Sequence, residues 1–180
     1  MGFDVLFRRA TLHDGADAAG RQLDVAVKDG RIVALGDETV DELSARTIDA
    51  GGLALAPGFV DLHTRFDLTL PAFPEAPNSV TQGATTEVVG NCGFSPAPVG
   101  LDQARAEELR AFVGGLGPDL DWSWRSFGSF LDRLEAVRPA VNLVPLVGYG
   151  ALRIAAMGMD DRPPTYYLDT LILIACHTER

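Results

Sequence analysis

Residues 57–67 read Pro57-Gly58-Phe59-Val60-Asp61-Leu62-His63-Thr64-Arg65-Phe66-Asp67. A proline-glycine break followed by a short apolar run predicts a strand of the buried kind over Phe59 to His63. Side chains two apart on a strand point to the same side, which puts His63 and Arg65 inward at the strand's carboxyl end. That end is where β/α barrels carry their reactive groups. A His-x-His pair there offers two imidazole nitrogens to one metal ion, at bond lengths of about 2.0–2.1 Å. This chain has His63 but Arg65, and a guanidinium is always protonated, donates only, and repels a cation.

Upstream of this stretch the chain reads as β-structure. Phe3 to Leu12 alternates imperfectly, and Leu23-Asp24-Val25-Ala26-Val27 alternates cleanly. Asp29-Gly30 then precedes Arg31-Ile32-Val33-Ala34-Leu35, and an Asp-Gly pair between alternating runs predicts a hairpin with a type I′ turn. Thr47-Ile48-Asp49 and Leu53-Ala54-Leu55 read as further short strands. The expectation is a small antiparallel sheet.

Downstream, strands alternate with helices. Ser79 to Gly83 reads as the end of a short helix at a capping glycine, and Thr85 to Gly90, rich in β-branched residues, as a strand. Leu101 to Arg110 predicts a helix from its Ala, Glu, Leu and Arg content. Ser126 to Val137 predicts another, with Phe127, Phe130, Leu131 and Leu134 on one face and Pro139 as its stop. Val141 to Gly148 is a third strand, weakened by Pro145. Such alternation implies βα units and a parallel sheet. Asp160 to Thr165 has the form of a helix opening with proline in its first turn. The chain then runs into Leu171-Ile172-Leu173-Ile174-Ala175-Cys176, an apolar run with neither helical nor alternating rhythm and too short to span a membrane.

Two further segments carry candidate chemistry. In Gly90-Asn91-Cys92-Gly93-Phe94-Ser95 a cysteine follows the second strand, flanked by glycines. A single cysteine is more often a small buried hydrophobe than a ligand. At a strand's carboxyl end, in a turn with glycine's backbone freedom, a thiolate can instead reach a barrel mouth; beside His63 it would suit zinc. Val147-Gly148-Tyr149-Gly150 reads as a loop with Tyr149 half-buried, its phenol able to donate to a substrate oxygen.

Composition narrows the partners. Hydrophobic residues make up 47% and charged residues 22%, enough apolar material for a core. The formal net charge is −10 with scattered basic residues, which argues against nucleic acid, since phosphate binding needs clustered Lys and Arg. Two cysteines in 180 residues make no disulfide framework. With neither a signal-peptide pattern nor an apolar stretch of about 20 residues, the expectation is a cytoplasmic protein without a membrane partner.

Taken together, residues 57–65, 82–98 and 145–148 resemble the amidohydrolase superfamily, and within it the N-acyl-D-amino-acid deacylases. The superfamily signature PGF-[IV]-D-x-H-x-H is matched except at Arg65. Residues 82–98, QGATTEVVGNCGFSPAP, are close to the deacylases' QGVTTEVVGNCGFSPAP, a far more specific match. Trp124 to Leu131 and Met157 to Pro164 are similar to the family as well. The resemblance implies an α/β fold: a small amino-terminal β-sandwich part over 1–56, then an incomplete metal-dependent (β/α)8 barrel over 57–165, with 166–180 a tail outside the family pattern.

The resemblance further implies that His63 and Cys92 are metal ligands for Zn2+. Arg65 and Tyr149 stand where the family usually shows histidine, Tyr149 at the substrate pocket. It implies a zinc-activated hydroxide attacking the amide carbonyl of an N-acyl-D-amino acid, with the general base and the remaining ligands on strands this chain lacks. About 120 residues follow Pro57, whereas a full barrel takes about 250, so a truncated or frame-shifted enzyme, inactive by itself, is expected. Two other readings stand beside it. One is a cyclic-amide hydrolase, disfavoured because those relatives use a metal-bridging lysine in place of the cysteine. The other is a noncatalytic piece that docks on a partner supplying further strands.

Overall fold

The computed structural model describes residues 2–16, 19–36, 44–100 and 102–165. The chain divides into two compact units, Met1–Pro57 and Gly58–Arg180.

The first unit is a five-stranded sheet. It comprises β1 (Phe3–Leu12), β2 (Arg21–Lys28), β3 (Arg31–Gly36), β4 (Ser44–Asp49) and β5 (Ala54–Leu55), ordered β3-β2-β1-β4 with β5 also on β1. The β2–β3 hairpin turns at Asp29 and Gly30, both at positive φ (50° and 70°), as a type I′ turn requires. A bulge interrupts β1 between Phe7 and Ala10; Arg9 there takes φ 58° and donates its backbone N–H to the buried Asp24 carboxylate at 2.8 Å. The expected antiparallel sheet is corrected to a mixed one, because β4 and β5 both run parallel to β1. Strand direction there depends on the path of the connecting chain, which alternation within a strand does not encode.

The second unit is a parallel three-stranded sheet under a helical layer. Its strands are β6 (Phe59–Asp61), β7 (Ala84–Val89) and β8 (Asn142–Pro145), in that order. Between β6 and β7 lie a one-turn 3-10 helix, Phe66–Leu68, and the short α1 (Pro77–Val80). Between β7 and β8 lie α2 (Gln103–Val113) and α3 (Phe127–Val137), and α4 (Tyr149–Met157) follows β8. Parallel neighbours need such crossovers, so the βα reading of the sequence holds.

Local chemistry explains the helix ends. Asp102 caps α2 by accepting from Arg105 N at 2.9 Å. Ser126 and Ser129 form a reciprocal capping box at the start of α3. The α3 face named in the sequence is the one that buries: Phe130 and Leu134 are 1% and 3% exposed, and Phe127 and Leu131 pack against the same core. Each full burial of this kind stabilises by about 1.5–3 kcal/mol.

Three expectations change. The strand over Phe59 to His63 ends at Asp61 and is exposed, with Phe59 67%, Val60 54% and Leu62 71% accessible. Its apolar composition signals a face to be covered, and among the described residues β6 is a sheet edge. Tyr149 is not a half-buried loop residue: it is the first residue of α4 and is 59% exposed. Asp160 to Thr165 is irregular rather than a helix opening, and the Leu171–Cys176 run lies outside the described residues.

Candidate metal centre

The carboxyl ends of β6, β7 and β8 bring three sequence-chosen segments into one neighbourhood. After β6, His63 N donates to Asp61 Oδ1 at 3.0 Å, and Thr64 N donates to Val88 O at 3.1 Å. An aspartate that binds the backbone two residues on makes an Asx turn, and this one aims His63 off the strand. After β7, Gly90 takes φ 82°, and any Cβ there would collide with the carbonyl oxygen of Leu146. The next three residues, Asn91–Gly93, form one 3-10 turn in which Cys92 itself is left-handed, at φ 58° and ψ 23°. For a residue with a Cβ that conformation costs about 1–2 kcal/mol.

The turn puts Cys92 Sγ 2.9 Å from His63 Nε2, with both side chains exposed. Tetrahedral zinc at ordinary Zn–N and Zn–S lengths holds such atoms roughly 3.5 Å apart, so a small opening of the pair would admit the ion. The donor types fit as well, since imidazole and thiolate together suit zinc. Among the described residues no group of three or more His, Cys, Asp or Glu side chains is placed to hold a metal. His63 and Cys92 therefore stand as a pair of donors with no third beside them among the described residues.

Arg65 does not extend this pair. The strand has ended, so the alternation expected to align residues 63 and 65 no longer applies. Arg65 instead caps the Phe66–Leu68 turn and lays its guanidinium over the Phe94 ring, 5.0 Å from the centroid. Phe94 stacks in turn on Phe112 of α2 at 4.6 Å. Close by in sequence, Asp67 is 1% exposed with its Oδ1 unpartnered. Burial pushes the Asp67 carboxyl up to about 7, against the opposing pull of its own backbone N–H, that of Leu68, and the charge of Arg65.

Tyr149 reaches the same neighbourhood through the start of α4. Gly148 N donates to the buried Ser95 Oγ at 3.1 Å, and Ser95 Oγ donates to Ala97 O at 2.6 Å. Cβ atoms at Gly148 and Gly150 would come within 2.5 and 2.7 Å of Gly93 O, so glycine at both lets the helix start close on the cysteine turn. Sequence reasoning named His63, Cys92, Arg65 and Tyr149 but passed over Asn91, Ser95 and Asp67. Asn91 and Ser95 flank the cysteine in the most distinctive stretch of the chain, which was the available signal.

A model of the amidohydrolase family matches residues 46–167. The chain is 44% identical to N-acyl-D-aspartate deacylase of Alcaligenes xylosoxydans xylosoxydans over 90% of its own length and 31% of that relative's. Among solved structures, N-acyl-D-glutamate deacylase from Bordetella bronchiseptica, complexed with zinc and a phosphonate mimic of the tetrahedral intermediate, superposes with a TM-score of 0.80. There the identity is 33%, over 97% of this chain and 35% of that one. A D-aminoacylase with a binuclear metal centre gives a TM-score of 0.78 at 36% identity, over 93% of this chain and 34% of that one. The chain thus spans about a third of the length of the relatives it matches. On the family match, and on a fold shared with zinc-binding deacylases, this chain belongs to the amidohydrolase family.

Proposed function

We propose that this chain carries the first βα units of a zinc-dependent hydrolase that splits N-acyl-D-amino acids into a carboxylate and a free D-amino acid. The observation that carries the reading is the 2.9 Å approach of His63 Nε2 to Cys92 Sγ across the ends of two paired parallel strands. A cysteine held in a left-handed turn at energetic cost has its side chain aimed by that turn, here at His63. Similarity to a deacylase of linear amides over 90% of the chain favours a linear over a cyclic amide.

Zinc, when bound, supplies Lewis-acid polarisation of an acyl carbonyl and activates a water nucleophile. His63 would hold it through Nε2, and Cys92, as thiolate, would offset part of its charge. Tyr149, exposed at the first turn of α4, would donate its phenol proton in a hydrogen bond to a substrate oxygen. Catalytic zinc sites take three protein ligands, and among the described residues His63 and Cys92 supply two. The chain by itself is therefore expected to turn over no substrate.

The test is zinc content and amine release from N-acetyl-D-aspartate and other N-acetyl-D-amino acids, for the purified chain and its His63→Ala and Cys92→Ser variants. Zinc retention that falls in both variants, without turnover, is the expected result. Turnover by the chain alone would overturn the incompetence, and equal zinc in all three proteins would overturn the ligand roles. A noncatalytic docking role has the exposed Phe59, Val60 and Leu62 of the β6 edge in its favour. A defined hetero-complex on size-exclusion chromatography would support it, and soluble aggregate would not.

A further inference from the structure

Regular pairing of β6 with β7 ends at Asp61 and Glu87, before either candidate ligand is reached. Beyond that point the two strand ends are tied by Asn91. Its side-chain Nδ2 donates to Val88 O at 2.7 Å and lies 3.5 Å from Thr64 O. Val88 O also accepts from Thr64 N at 3.1 Å. These contacts close a ring through the residue before Cys92, the end of β7, and the residue after His63. One amide group thus spans the two segments that carry the imidazole and the thiol.

We propose that Asn91 is a positioning residue for the metal pair, holding His63 and Cys92 at chelating separation before a metal arrives; this rests on the zinc reading above. The left-handed turn at Cys92 lies between two glycines that are themselves at positive φ, 82° and 80°, so the backbone there has little stiffness of its own. A strained residue persists only where its surroundings over-determine it, and the Asn91 amide is the side-chain contact that does so on the His63 side, beside the backbone bond from Thr64 N to Val88 O. Its Nδ2 faces both strand ends, closely at Val88 O and at the outer limit of a hydrogen bond at Thr64 O. Asp in its place has no hydrogen to give and would set a carboxylate against Val88 O, while Ala removes the amide and leaves only the backbone bond from Thr64 N to Val88 O.

The test uses the 180-residue chain with Cys176→Ser, so that Cys92 is the only thiol. Cd(II) is titrated and followed by thiolate-to-metal charge-transfer absorption, in chains with and without Asn91→Ala or Asn91→Asp, on both the His63 and the His63→Ala background. With His63 present, each Asn91 variant should weaken Cd(II) binding by about tenfold or more, the usual effect of losing a residue that orients a ligand. With His63→Ala the same variants should change it by less than about twofold, because the coupling they act through is gone. Equal losses on both backgrounds would make Asn91 a general structural residue and overturn the proposal.

A metal-free arm separates this from the zinc reading. In the His63→Cys variant, the rate of disulfide closure with Cys92 in oxidised glutathione reports how closely the two segments are held. Asn91→Ala should slow it by about tenfold, through a lower effective concentration. An unchanged rate overturns the proposal. A slowed rate together with no Cd(II) binding by the parent chain upholds the positioning role and removes the zinc reading.

Discussion

The guanidinium of Arg65 lies 5.0 Å from the centroid of the Phe94 ring. In the sequence Arg65 occupies the second place of a His-x-His pair; in the fold its charge is parked on an aromatic face, and its Nε is buried without a partner. A guanidinium so placed has no lone pair to offer a metal.

Arg65→His should therefore bind Zn(II) or Cd(II) no more tightly than Arg65→Ala, because β6 ends at Asp61 and side chain 65 lies on Phe94 rather than toward the pair. Arg65→Ala is the control, because it removes the charge without adding a nitrogen. Tighter binding by Arg65→His, by about tenfold or about 1.4 kcal/mol, would show that residue 65 does reach the pair. Loss of the cation–π contact should cost either variant about 0.5–1 kcal/mol of stability, read by urea unfolding. Trp122 and Trp124 both lie in the second unit, so tryptophan fluorescence follows that unit alone.

Asp67 predicts a pH dependence with a definite sign. In the folded chain its carboxyl keeps its proton up to about pH 7, whereas its ordinary value is 3.8. Between those limits the folded state binds more protons than the unfolded one, so stability falls as pH rises through the window, by up to about 1.4 kcal/mol per unit. Below it both states are protonated, and above it both are ionised, so the contribution levels off. Asp67→Asn carries no charge at any pH, and it should unfold at higher urea than the parent at pH 8 and at nearly the same urea at pH 4. A parent–variant difference that stays constant from pH 4 to pH 8 would show that Asp67 does not titrate in that window.

Gly90 and Gly83 separate backbone strain from collision. Both take positive φ, 82° and 85°, but a Cβ at Gly90 runs into the Leu146 carbonyl, whereas one at Gly83 meets only the Phe59 ring at 3.4 Å. Gly83→Ala should cost about 1 kcal/mol, the left-handed penalty alone. Gly90→Ala must also displace β8's continuation, and should cost roughly 3 kcal/mol or more. Similar urea midpoints for the two variants would contradict the close packing of Leu146 over the cysteine turn.

What the sequence disclosed follows from how local each signal was. The Asp29-Gly30 hairpin and the Ser126-to-Pro139 helix lie within a few residues of the groups that determine them, and both were legible. The parallel placing of β4 beside β1 depends on a connection rather than on either strand, and was not. Tyr149 looked like a loop because glycines on both sides argue against a helix, yet Gly148 and Gly150 are there to let α4 approach Gly93 O. Of the candidate site, the donor types were readable from spacing and family pattern. The groups that aim them were not, because Asn91 meets Thr64 27 residues away in sequence and Ser95 meets Gly148 at a separation of 53.

Ser95 supplies the last prediction. It is 0% exposed, accepts from Gly148 N at 3.1 Å and donates to Ala97 O at 2.6 Å. It thereby joins the strand end that carries Cys92 to the helix that begins at Tyr149. Ser95→Ala leaves the buried Gly148 N–H without a partner, at a cost of about 1–3 kcal/mol, and frees the first turn of α4. Lower overall stability alone would not distinguish this from a packing defect, so the deciding measurement is amide hydrogen exchange residue by residue. Exchange at Gly148 should accelerate more than exchange in the middle of α3, where Phe130 and Leu134 hold the helix to the core. If Gly148 and α3 accelerate by the same factor, the hydroxyl stabilises the unit as a whole and does not specifically fix the entrance to α4.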